Sequence, residues 1–161
     1  MNNNELKEVV SQMGTLPSLP QVYLEMTEAL DREASINEIA YIVKKDMAMS
    51  TKVLQIVNSA FFGFIRQISE IREAVVYLGV DTIKALTLSV HAFEECKSTR
   101  VIKGFSPDDL MNHCLKVGNI SKKLAIKQGL NRKEQDMAQT PGILHDLGRL
   151  ILFSKKPDIF E

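Results

Sequence analysis

An all-α domain is the fold class the sequence predicts, and three observations carry it. Apolar residues recur at steps of three and four through most of the chain. Val, Ile and Thr are thinly spread, with no alternating runs of strand length bounded by turns. The glycines fall mostly between the periodic segments. The segments are short and closely connected, which predicts an irregular multi-helix packing and not an up-down four-helix bundle. A length of 161 residues and a mass of 18.1 kDa suit one domain.

The elements follow in order. Residues 4 to 13 place Leu6, Val9, Val10 and Met13 on one face and stop at Gly14. Leu16-Pro17-Ser18-Leu19-Pro20 reads as an extended apolar connector, because proline fixes φ and restricts the residue before it. A helix then runs to about Asp31 with Val22, Met26, Ala29 and Leu30 inward. Ser35-Ile36-Asn37-Glu38 is a capping-box pattern, opening a helix that ends near Lys45. Asp46 caps the next, with Met49, Val53, Ile56 and Val57. Asn58-Ser59-Ala60-Phe61-Phe62-Gly63 breaks the helical pattern. Ser69 is the expected cap of a helix ending at Leu78-Gly79, and Asp81 the expected cap of its successor. Ser106-Pro107-Asp108-Asp109 combines cap, first-position proline and acids matched to the helix dipole. It opens a helix to about Lys127, stopped at Gly129. Asn131 to Glu134 is a second capping box, whose helix passes Pro141 to reach His145-Asp146. Pro141 lacks an amide for the Met137 carbonyl, so a kink is expected there. A last stretch, Arg149 to Ser154, is cut short by Pro157.

Composition narrows the function classes. A hydrophobic content of 45% excludes a disordered tail. Lys plus Arg and Asp plus Glu each number 20, so no net charge draws the chain to nucleic acid or an anionic membrane. The local basic stretch of Lys116, Lys122, Lys123, Lys127, Arg132 and Lys133 has no interleaved aromatics and reads as a solvated helix face. The polar N-terminus carries no signal-peptide pattern, and no apolar run approaches the roughly 18 residues of a membrane span. A cytoplasmic protein is expected. Cys96 and Cys114 form no CxxC and read as small core fillers. Phe61, Phe62 and Phe64 read as a core plug, with an interaction patch as the alternative.

Three histidines are available for chemistry. His113 falls within the stripe Leu110, His113, Val117, Ile120 and Leu124, which reads as a core histidine satisfied by a neighbour. His91 matches no motif and reads as structural. His145-Asp146 joins two metal-ligand types, but such a dipeptide arises by chance in roughly one chain in five with three histidines.

The surroundings of the dipeptide are more specific. Gly142-Ile143-Leu144-His145-Asp146-Leu147-Gly148-Arg149-Leu150 resembles the core motif of the HD superfamily. In that superfamily a histidine about 30 residues upstream joins the pair on a metal. His113 lies 32 positions before His145 and matches that place. Leu16 to Pro20, Val57 to Gly63, Ile68-Ser69 and Ala74 to Gly79 with Ile83, in that order, resemble the HDOD family, the regulatory branch of the superfamily. The resemblance runs from about Leu16 to about Leu152. It implies one HDOD-type helical domain over residues 1–161, without the family's C-terminal helical portion and the downstream aspartate of the HD site. Thr140-Pro141-Gly142 departs from the small or aliphatic helix formers usual there.

The resemblance also implies function. HDOD domains occur in bacterial signalling proteins, often joined to receiver, kinase or cyclic-dinucleotide domains, and are not generally hydrolytic. The expectation is a regulatory module acting through protein contacts, without catalysis, nucleic acid or membrane. No cofactor is expected, save a divalent metal at a degenerate site of His113, His145 and Asp146. The alternative is a metal-dependent phosphohydrolase using that site. Apolar faces left open on the helices from Pro107 and Asn131 would allow self-association.

Overall fold

The computed structural model describes Lys7, Ser11 and residues 18–96 and 106–155. The rest of the helix expected over 4–13, the Leu16-Pro17 half of the connector and Pro157 lie outside the described residues. The architecture is all-α, with no strand among the described residues. In chain order the helices are α1 (Gln21–Asp31), α2 (Ile36–Lys44), α3 (Met47–Val57), α4 (Ile71–Leu78), α5 (Val80–Glu95), α6 (Pro107–Lys127), α7 (Arg132–Leu144) and α8 (Leu147–Lys155).

Short polar side chains start four of these helices where local chemistry places them. Ser35 accepts from the Glu38 amide at 3.3 Å, Asp46 from Met49 at 2.9 Å and Ser106 from Asp109 at 3.2 Å. Asn131 and Glu134 close a reciprocal capping box. Two expected caps are corrected. Glu70, not Ser69, precedes α4, and it makes no side-chain cap. Asp81 lies inside the first turn of α5, whose N-cap is Gly79. The reason is the turn itself. Gly79 ends α4 and begins α5, bending the chain by 120°. It does so at φ +85° and ψ 156°, a conformation essentially confined to glycine. A junction of one residue leaves no position for a separate polar cap.

The main core gathers α1 to α5 around residues such as Met26, Ile39, Val53, Ile71 and Leu86, with Leu115 of α6 and Ile143 of α7 completing it. A second cluster joins Ala92, Cys96, Leu110, Cys114 and Leu150, so α5 carries both. Phe61, Phe62 and Phe64 are partly buried against the main core, the plug reading rather than a patch. Asn58 anchors the loop that holds them. Its amide donates to the carbonyls of Leu54 and Ile68, both at 2.8 Å, and accepts from the Ile68 amide at 2.7 Å.

Both cysteines are buried and free, as core fillers should be. Burial pushes both thiols above their usual value, which disfavours the reactive thiolate. Iodoacetamide at neutral pH is therefore expected to leave both unmodified in native buffer and to label both in urea, as mass spectrometry would read. Fast labelling of either in native buffer would contradict the burial. No single helix among the described residues is long and apolar enough to cross a membrane.

Candidate metal centre

The site is set by how α6 and α7 cross. A Cβ on Gly142 would lie 2.6 Å from the Cα and 2.8 Å from the N of Gly118. A Cβ on Gly118 would lie 2.7 Å from Cγ1 of Ile143 and 3.0 Å from the Gln139 carbonyl. The two helices thus meet backbone on backbone, which only glycine permits at both positions. His113 lies five residues before Gly118, and His145 three after Gly142, so the crossing brings the two histidines together.

This contact corrects the reading of α6. Its inward face is Leu110, Cys114, Leu115, Gly118 and Ala125. His113 is 51% exposed, and Ile120 and Leu124 are each 57% exposed. The small residues face α7 because they allow close approach, and the large apolar ones turn outward. A periodicity that weights side-chain size therefore selects the wrong face.

A buried polar network locks the pair. Lys122 donates to Asp136 at 2.6 Å and to Gln139 at 3.0 Å. Gln139 donates to Asn119 at 2.8 Å and accepts from Thr82 of α5 at 3.1 Å. Asn119 reaches the Phe61 carbonyl at 2.7 Å. Arg132 binds Asp136 and the Tyr77 carbonyl. Lys122, expected on a solvated face, is only 15% exposed and pairs with an equally covered Asp136. Sequence reasoning missed Asp136 and Gln139. Their signal is two polar residues three apart on α7, one face of that helix.

The three residues singled out for metal converge. His113, His145 and Asp146 each offer a ligand atom, and these atoms lie within 4.8 Å of one another. Nε2 of His113 is 3.9 Å and Nε2 of His145 is 3.7 Å from Oδ2 of Asp146. The two imidazole centroids are 5.2 Å apart. His145 Nδ1 lies 2.8 Å from the Gly142 carbonyl. A carbonyl only accepts, so Nδ1 is the donor, and in the neutral imidazole this leaves the Nε2 lone pair facing the cluster. That arrangement is the usual outer support of a ligating histidine. Pro141 does not interrupt α7, which runs through it to Leu144.

Asp146 is ionised in this setting. The Arg149 guanidinium, donating to its Oδ2 at 2.9 Å, holds the carboxyl below the usual carboxylate range, with the two histidines adding to the effect against partial burial. A lowered acid stabilises the fold above its ordinary value, and that contribution is lost as pH falls through the lower folded-state value. Near neutrality the carboxylate is therefore ready to ligate. Two imidazoles and a carboxylate fit a divalent transition metal, and their exposure leaves further coordination positions open. The remaining histidine, His91, stands apart, with Nε2 3.0 Å from the Ser18 carbonyl.

Comparison with known proteins bears on the family and the fold. The HDOD domain family matches residues 16–161. An uncharacterized protein of Treponema pallidum (strain Nichols) is 28% identical over 156 residues, covering 94% of this chain and 29% of that protein. Two crystal structures from Shewanella amazonensis SB2B share the fold at 24% identity. One, named "Putative phosphohydrolase", has a TM-score of 0.65 over 94% of this chain and 52% of its own. The other, named "Putative metal-dependent phosphohydrolase", has a TM-score of 0.64 over 98% and 59%. The chain thus spans under a third of the Treponema protein and little more than half of each Shewanella chain. With helices and no strand among its described residues, and the family match over residues 16–161, the chain belongs to the HDOD domain family.

Proposed function

We propose that the chain is a cytoplasmic regulatory module that works through a protein partner and carries a divalent ion at His113, His145 and Asp146 without hydrolysing a substrate. The observation that carries this reading is the outer face of α6. His113 shares it with the exposed apolar residues Ile120 and Leu124 and the half-buried Val117. Large apolar side chains left uncovered beside a ligand cluster suit contact with another protein, while the ion would fix the local surface. Receiver, kinase and cyclic-dinucleotide domains are the partner classes to try first, and a second copy of the chain is a further occupant of the same face.

The second reading, a metal-dependent phosphohydrolase, is favoured by the open donor trio and by the names of the Shewanella structures. A bound ion would supply a water of lowered pKa and a Lewis-acid contact for a phosphate oxygen. His145 would hold it through Nε2, kept free by the Gly142 carbonyl, and Asp146 would contribute the charge.

One experiment separates the two. Protein purified without chelator is loaded with Zn, Mn or Fe, its metal content is measured, and phosphate mono- and diesters are screened beside His145→Ala. The expected result is about one equivalent of metal in the wild type, loss in the variant, and no turnover in either. Turnover that vanishes with His145→Ala would replace the first reading by the second. No metal in a folded wild type would leave the trio structural.

A further inference from the structure

Resting on the metal-binding reading above, we infer that Arg149 is the resident counter-cation of the ligand trio, and that a divalent ion binds by displacing it from Asp146. The geometry singles out one atom. Oδ2 of Asp146 accepts the Arg149 Nη1 bond at 2.9 Å, and the same Oδ2 is the carboxylate oxygen placed 3.9 Å from His113 Nε2 and 3.7 Å from His145 Nε2. The oxygen that completes the trio is thus the one the guanidinium already holds.

Electrostatics decides between sharing and exchange. Asp146 is the one carboxylate of the trio, and its negative charge on Oδ2 is balanced by a nearby cation. In the metal-free protein Arg149 supplies it. A metal would sit about 2.0–2.2 Å from Oδ2. A guanidinium kept on that oxygen would then hold a single positive charge within a few ångströms of a double one. At the effective dielectric near a protein surface that repulsion amounts to several times the thermal energy. Arg149 has somewhere to go, because its side chain is 52% exposed and Gly148 beside it has open space around its Cα. It also stays close. Its amide is bonded to the Asp146 carbonyl at 2.9 Å, so the first turn of α8 keeps the displaced arginine within reach of the site. The arginine therefore lowers metal affinity by competing for a ligand, where an outer-sphere partner would raise it.

The sign of that effect is the test. Calorimetric titration with zinc is run on the wild type, Arg149→Gln, Arg149→Lys and Lys123→Gln, with thermal unfolding as the check on folding. Arg149→Gln is expected to bind about tenfold more tightly than the wild type, with the gap narrowing as salt rises. Arg149→Lys, which keeps the charge, stays near the wild type. Lys123→Gln removes an exposed α6 cation outside the trio and leaves affinity unchanged. Equal or weaker binding by a folded Arg149→Gln overturns the inference while leaving the metal site standing. Binding by neither wild type nor Arg149→Gln overturns the metal reading itself. Binding by Arg149→Gln alone is the strongest support.

Discussion

Replacing Gly79 by alanine is expected to destabilise the domain by about 3 kcal/mol or more. Two costs add. The backbone at φ +85° and ψ 156° strains any residue with a Cβ by about 1–3 kcal/mol. The new methyl would also lie 2.6 Å from Oδ2 and 3.2 Å from Cγ of Asp136. That carboxylate cannot swing away freely, because Lys122 holds it at 2.6 Å and Arg132 at 3.3 Å. Pushing it aside breaks a largely covered ion pair, a change that costs about 3–5 kcal/mol when complete. Urea unfolding would read the loss as a lower midpoint at unchanged slope. In an Asp136→Ser background the same glycine change should cost less, since only the strain remains. An unchanged midpoint for Gly79→Ala would show that the α4–α5 corner is not rigid.

Gly142→Ala is the second large effect, and it reaches the candidate site. Alanine at a helical position gains about 1 kcal/mol over glycine. Against that, its methyl would overlap the backbone of Gly118 at 2.6 and 2.8 Å, and backbone has no rotamer to change. Overpacking of this kind costs about 1–3 kcal/mol or somewhat more. The helices must separate, so a net loss of about 2 kcal/mol is expected together with weaker metal binding, since His113 and His145 sit on opposite sides of the contact. Gly148→Ala is the matched control. Nothing lies within 4 Å of its added Cβ, and stability there should hold or rise slightly. Zinc titration beside thermal unfolding checks both parts. A Gly142→Ala protein as stable and as avid as the wild type would contradict a backbone-set site.

Much of this was legible in the sequence where the physics is local. Ser35, Asp46, Ser106 and Asn131 announce helix starts because each bonds an amide three residues on. That His113, His145 and Asp146 come together was legible only through the family resemblance of their surroundings, since the α6 stripe alone reads His113 as a core residue. The start of α5 was not, because Gly79 replaces a side-chain cap by backbone geometry. Nor was the inward face of α6, where Gly118 and Ala125 make the contact and Ile120 and Leu124 do not. Lys122 and Asp136 meet only across two helices, so neither announces itself as buried. The same holds for the Arg149–Asp146 pair, because sequence does not say which carboxylate oxygen Arg149 takes.

The side chain of Asn58 stands in for a missing strand partner. Its three hydrogen bonds share one amide plane, so they break together when that side chain rotates. Rotation of that one side chain therefore releases both Ile68 bonds, at the far end of the loop over residues 59–67, at the same time. Asn119 of α6 holds the same loop from its other end, through the Phe61 carbonyl at 2.7 Å, with Phe61 and Phe62 packed on the core between the two anchors. The aromatic plug is thus clamped by two asparagine side chains, one at the end of α3 and one on α6.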